Sequence, residues 1–221
     1  MHKLVLNKPV LIYMYGLPGS GKSYISRQLS DYFNMAHINC DLLRNELFDN
    51  PSHDAAENAV IGNLMLHMAE EFLKNGLSVV YDMSANRVAE RAKIRRLAQA
   101  NHAKELMAWV QIDKETAWSR CQSRDKRKID DKYSSEMSVE AFNYYLSSMQ
   151  NPMHENYLVL SGKHLFNSQL SAFLKRFREM GILNIDPNNQ AIPKPGLVNL
   201  VSQAQNQAGR VDYARRNVII R

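Results

Sequence analysis

A chain of 221 residues with a net charge of +6 is long enough for one α/β domain plus a tail. Its 45% hydrophobic and 23% charged content excludes a disordered or fibrous protein. Cys40 and Cys121 are the only cysteines and have no CxxC spacing, which excludes a disulfide framework and a thiolate metal site.

Leu4–Tyr15 is rich in Val, Leu, Ile and Tyr and predicts a first strand buried on both faces. Its apolar run Pro9–Tyr15 is too short to cross a bilayer and has no cleavage site after it, so a cytoplasmic protein without a membrane partner is expected. Lys22–Phe33 predicts a helix, with Ile25, Leu29 and Phe33 four apart on its apolar face. His37–Cys40 predicts a second strand and Asp41–Phe48 a short helix, before the break at Asn50-Pro51-Ser52. A longer helix from Asp54 to Lys74 ends at Asn75-Gly76, and Leu77–Asp82 is a third strand, apolar to its last residue. Ala89–Ala100 is a basic helix, Leu106–Ile112 a fourth strand and Lys114–Arg124 a further helix. The charge run Asp125–Tyr133 has no apolar period. Val139–Met149 is helical, Tyr157–Leu160 a fifth strand and Gln169–Met180 a closing helix. Strands alternating with helices predict an α/β fold with a parallel sheet of about five strands covered on both faces.

From Gly181 the pattern changes. Residues 1–181 form the expected domain, and 182–221 a basic extension with five basic residues against two acidic ones. Within it, 186–196 reads as a linker, 197–207 as a short helix and 217–220 as a strand. A mildly basic tail is compatible with an anionic partner but does not establish nucleic-acid binding.

The octapeptide Gly16-Leu17-Pro18-Gly19-Ser20-Gly21-Lys22-Ser23 matches the complete G-x4-GK[ST] pattern between an apolar strand and an amphipathic helix. Its glycines let successive backbone N–H groups curl around phosphates, and the helix adds its positive end. Lys22 is placed for the β- and γ-phosphates of ATP, and the Ser23 hydroxyl suits a Mg²⁺ ligand position.

Three further clusters bear on where the phosphoryl group goes. Asp41 and Arg44 are three apart after the second strand, so both can face one cleft. There Asp41 suits a general base and Arg44 an anion contact, against the plainer reading of a helix cap and a surface arginine. Asp82 ends an apolar strand and suits either the metal's water shell or acceptor positioning, again against a helix cap. Arg120 and Arg124 are four apart on one helix face, followed by Lys126, Arg127 and Lys128. A solvated charged face is the usual reading of such a run, but its position between strand and helix suits a lid over the nucleotide.

Together these clusters resemble the P-loop kinase group of phage polynucleotide kinase, zeta toxins and chloramphenicol phosphotransferase over residues 10–165. The resemblance implies a five-stranded parallel P-loop NTPase core with an arginine-containing lid. It implies Asp41 as general base, Arg44 as an acceptor-phosphate contact and Asp82 as an acceptor-positioning residue. Arg120 and Arg124 become lid arginines on the ATP phosphates. Asn39, two before Asp41, stands where polynucleotide-type kinases often carry serine, and no DxDxT phosphatase sequence follows.

The leading expectation is a kinase that passes the γ-phosphoryl of Mg-ATP to a hydroxyl acceptor: a nucleic-acid 5′-OH, a nucleoside or a small molecule. An ATPase or nucleotide switch acting on a macromolecular partner is the alternative, and a nucleic-acid binding module a third. The histidines, His37 and His53 among them, share no ligand spacing and read as ordinary surface or core residues. Lys163 and His164 are candidates for the adenine side by analogy with related kinases.

Overall fold

The computed structural model describes residues 3–129 and 131–183. The linker, helix and strand expected within 186–220 lie outside them.

A single five-stranded sheet has the order β2-β3-β1-β4-β5, and all four pairings are parallel. The strands are β1 (Val10–Tyr15), β2 (Met35–Asn39), β3 (Ser78–Ser84), β4 (Lys104–Gln111) and β5 (Tyr157–Ser161). Every residue of β1 is fully buried, as its unbroken apolar sequence requires of a central parallel strand. It begins later than expected: Leu4 makes only an isolated bridge to Phe33, and the chain bends before Val10.

The seven helices among the described residues are α1 (Lys22–Tyr32), α2 (Cys40–Leu47), α3 (Ala55–Lys74), α4 (Val88–Ala100), α5 (Lys114–Gln122), α6 (Val139–Ser148) and α7 (Phe166–Glu179). Alternate strand residues divide the core between the two sheet faces. Val10, Ile12 and Met14 pack with Ile25 and Leu29 of α1 and Phe173 and Phe177 of α7. Leu11, Tyr13 and Tyr15 pack with Ile61 and Met65 of α3 and Ile94 of α4. Ile182 and Leu183 are buried in the first of these clusters, and Asn7 N–H donates to the Ile182 carbonyl (2.9 Å). Residues 182 and 183 thus pack with the domain core.

The chain leaves β1 toward β2 on one side and reaches β4 from β3 on the other. The carboxyl end of β1 is thus a topological switch point, where parallel sheets open a crevice. A buried arginine ties down that end. Arg91 of α4 is 0% exposed; its Nε donates to both Glu155 oxygens (2.9 Å each) and its Nη1 to the Ala85 and Asn86 carbonyls (3.1 Å each). Its guanidinium lies 5.2 Å from the Tyr15 ring centroid. The ends of β1 and β3 and the loop before β5 are thereby fixed to one another.

Candidate active site

The loop between β1 and α1 is shaped by backbone that only glycine fits. Gly16 has φ +144° and Gly19 φ +78°. A Cβ on Gly16 would stand 2.4 Å from the Val110 carbonyl oxygen, and one on Gly19 2.2 Å from that of Ala117. The loop is thus pressed against β4 and α5 with no room for a side chain. Helix α1 begins at Gly21 with no side-chain cap and no acidic residue in its first turn, so its N-terminal amides remain available to an anion.

Lys22 folds back over the loop, its Nζ donating to the carbonyls of Gly16 (3.0 Å) and Leu17 (2.8 Å). Burial pushes its pKa down to about 8, only partly opposed by Asp82. A second anion in the cleft, such as a phosphate, would raise it again.

The Ser23 hydroxyl donates to Asp82 Oδ1 (3.3 Å). Asp82 is 3% exposed, and its Oδ2 accepts from Asn39 Nδ2 (2.7 Å) and lies 3.1 Å from His37 Nε2. Strand register makes this possible, because Asn39 lies opposite Asp82 between β2 and β3. On its other side β3 slips against β1: Tyr13 pairs with Tyr81 but Met14 with Ser84, and Asp82 and Met83 occupy the irregularity. Beyond it, the Ser84 hydroxyl donates to the Gly16 carbonyl (3.2 Å).

Neither aspartate caps a helix. The cap of α2 is Asn39, whose Oδ1 accepts from Leu42 N–H (2.8 Å), and that of α4 is Arg87. Asn39 thus serves α2 with one end of its amide and Asp82 with the other. Asp41 lies in the first turn of α2 without capping it. Among the described side chains its Oδ1 accepts only from the Cys40 thiol (3.6 Å), and burial and the nearby Asp82 raise its pKa. A carboxylate so perturbed, in a cleft, suits proton transfer.

Arg44 is placed differently from the expected anion contact. It is 4% exposed, its Nη1 pairs with Glu57 and its Nη2 donates to Asn58 Oδ1 (2.6 Å). Glu57 also accepts from the Ser52 amide (2.6 Å) and hydroxyl (2.9 Å). Burial favours the neutral acid, but these bonds outweigh it and hold the Glu57 pKa down to about 2. Arg44 therefore fastens α2 to the start of α3.

Helix α5 ends at Gln122, earlier than expected, so Arg120 lies in its last turn and Arg124 beyond it. Arg120 Nη1 donates to the Gly162 carbonyl (2.9 Å) and Arg124 Nη1 to that of Ser135 (2.6 Å). Between α5 and α6 the described residues, 123–129 and 131–138, form no helix. From this connection Lys128, Asp131, Ser134 and Met137 line the same cleft as the phosphate loop.

That cleft, of about 440 Å³, collects Gly19, Gly21, Lys22, Ser23, Asp41, Arg44, Asp82, Arg120 and Arg124 from four separate chain segments. A larger groove of about 730 Å³ adjoins it at Gly16 and Leu17. Apolar side chains such as Trp109, Leu146, Met149 and Val159 line it, and its charged groups are Asp113 and Lys163, which pair with each other (2.6 Å). The convergent titratable groups lie in the smaller cleft, and there the chemistry belongs. Sequence reasoning missed His37, Asn39, Glu57 and Gly162. Nothing in their local sequence distinguishes them, because their partners are 13 to 45 residues away. Among the described residues no cluster of His, Cys, Asp and Glu forms a metal cage, and no helix is long and apolar enough to cross a membrane.

The family described as AAA domain matches residues 11–152. No curated protein matches the sequence. Solved structures match the fold at low identity. Kti12 of Chaetomium thermophilum in complex with ADP-AlF3 is 17% identical with a TM-score of 0.60, covering 79% of this chain and 100% of that one. The Mycobacterium tuberculosis APS kinase CysC, in complex with AMPPNP and APS, is 17% identical with a TM-score of 0.56, covering 78% and 98%. A gluconokinase from Sinorhizobium meliloti is 14% identical with a TM-score of 0.56, covering 78% and 93%. The chain has the P-loop kinase-like fold.

Proposed function

The chain belongs to the AAA domain family, and on that footing we propose that it is a cytoplasmic kinase transferring the γ-phosphoryl of Mg-ATP to a hydroxyl acceptor. The resemblance of its motifs to the polynucleotide kinase, zeta toxin and chloramphenicol phosphotransferase group supports this reading. One observation carries this reading: Lys22, Ser23, Asp41, Asp82, Arg120 and Arg124 converge on one cleft at the carboxyl end of the sheet. A nucleotide fold without acceptor chemistry has no need of a half-buried carboxylate that caps no helix in the same cleft as the phosphate loop.

The phosphate loop fits a triphosphate, since its close approaches leave backbone amides and not side chains around the cradle. Ser23 and Asp82 would hold Mg²⁺ directly or through water, and the ion would neutralise charge between the phosphates. This favours the metal side for Asp82 over the acceptor-positioning role that the family resemblance implies. His37 and Asn39 fix its carboxylate. Asp41 takes the proton of the acceptor hydroxyl, whose oxygen attacks the γ-phosphorus while the bond to ADP breaks. Lys22 and Arg124 stabilise the charge on the transferring group. Arg120, already at Gly162, is nearer the nucleoside end, beside Lys163 and His164. Residues 1–181 are the kinase-like domain in this reading, with 182–221 a basic extension.

The test is ADP release from Mg-ATP with and without a panel of alcohols, nucleosides and 5′-hydroxyl oligonucleotides, with products read by ³¹P NMR. A kinase is slow until its acceptor is added and yields a phosphate monoester. Release of free phosphate that only a macromolecular partner accelerates would instead support a nucleotide switch.

A further inference from the structure

One stretch of the sheet lacks its second layer. All four strand pairings are parallel, an arrangement that is stable when helices cover both faces. On one face β5 packs with α7 through Leu158 and Leu160. On the other face β5 shows Tyr157 and Val159, which are 38% and 45% exposed. Register sets Val159 beside Trp109 of β4, whose ring meets that of Tyr157 edge-on at 5.7 Å. Helices α3 and α4 pack on β1 to β4. What remains is the groove of about 730 Å³, lined also by Leu146 and Met149 from the end of α6.

A matching occupant is apolar on one side and uncharged, because the groove's charged residues, Asp113 and Lys163, already pair with each other (2.6 Å). The chain carries such a segment beyond the described residues. Leu197–Gln207 has no charged side chain, and a helix there puts Leu197, Leu200, Val201 and Ala204 on one side, opposite Asn199 and Asn206. That helix would be about 16 Å long, close to the span of about 17 Å expected for the five residues of β5. The described chain reaches Leu183 at the amino end of the sheet, where Asn7, ahead of β1, donates to the Ile182 carbonyl (2.9 Å). Residues 184–196 can span about 45 Å when extended, well beyond the length of β5. The other apolar stretch of the tail, Val218–Ile220, stands between Arg216 and Arg221, cations for which the groove has no unpaired acid. We propose that Leu197–Gln207 docks as an amphipathic helix in the groove between β4, β5 and α6. Its apolar side lies on Trp109 and Val159 and completes the cover of the sheet.

Cysteine pairs placed in the full chain test the docking. With oxidised glutathione, Val159→Cys plus Leu200→Cys should form a disulfide within one molecule at least about tenfold faster than Val159→Cys plus Asn199→Cys. Peptide mass mapping separates this bond from any made by Cys40 or Cys121. Equal rates, or no bond within one molecule, overturn the proposal. A bond between molecules also overturns it and assigns the groove to a second copy of the chain. Hydrogen exchange gives an independent readout on the unmodified protein. Amides of residues 197–207 should exchange at least about tenfold more slowly than in Leu200→Asp, because an undocked helix of this length does not persist in water. Equal exchange in the two proteins overturns the proposal. Val159→Asp, at an exposed groove position, should release the same amides, and protection that survives it would place the segment elsewhere. The comparison with Leu200→Asp stands whether or not Val159→Asp folds.

Discussion

The two halves of the cleft are built by different means. The donor half is backbone: six residues between β1 and α1 and the first two of α1, curved by glycines that lie too close to Val110 and Ala117 for a side chain to fit. Its cations are left over a cradle of amides. The acceptor half is made of side chains from α2, α3 and α6, and its one buried arginine is already matched by Glu57. A cradle of main chain suits a ligand part common to all nucleotides. A surface of side chains can differ in what it accepts without disturbing the first half.

If this division is right, substitutions in each half fail differently. The largest effect belongs to Lys22→Ala, which should abolish detectable turnover while the fold, followed by circular dichroism, stays intact. Gly19→Ala should do the same through lost nucleotide binding, since a Cβ there has no space and φ is +78°. Asp41→Asn should lower kcat by about 10²–10⁴ while leaving Mg-AMPPNP affinity within about twofold. Equal losses in both would place Asp41 on the donor side and break the comparison.

His37→Ala removes a support of Asp82 without touching the phosphate loop. It should weaken activation by Mg²⁺ about tenfold, read from the metal dependence of rate. Unchanged metal dependence would return Asp82 to the acceptor side. Arg44→Ala should lower the melting temperature by several degrees, because Glu57 is then buried without its partner. Its effect on nucleotide affinity should be small.

The smallest expected signal is a proton. Free Lys22 titrates near pH 8, below its usual value, because burial disfavours its charge. The folded state therefore binds fewer protons than the unfolded chain, and Lys22 adds stability as pH rises from about 8 to about 10.4. Bound triphosphate raises that pKa again, so the protein should take up a fraction of a proton on binding Mg-AMPPNP near pH 9. Calorimetry in buffers of different ionisation enthalpy measures the uptake, and Lys22→Met should remove it.

Legibility followed the same division. The phosphate loop was readable because its residues are adjacent and each glycine answers a local steric demand. The order of strands and helices was readable from hydrophobic periodicity, with ends off by a few residues. The strand starting at Leu4 was not, because the sheet offers a partner only from Val10 onward. Asp41 was readable as a candidate, but its freedom from capping was not, since that depends on Asn39 taking the cap. Arg44 looked like an anion contact from its spacing alone, because the sequence does not show that Glu57, a turn into another helix, faces it.

The sequence by itself determined the phosphate loop and the alternation of strands and helices. Tertiary structure decided which residues remain available for chemistry. Pairing of β2 with β3 put Asn39 and His37 on Asp82, and packing of α2 on α3 gave Arg44 its counter-ion. Local geometry is set within a few residues, where sequence patterns act. Charge compensation in a cleft is set by whatever the fold brings within hydrogen-bonding distance, and no local pattern encodes it.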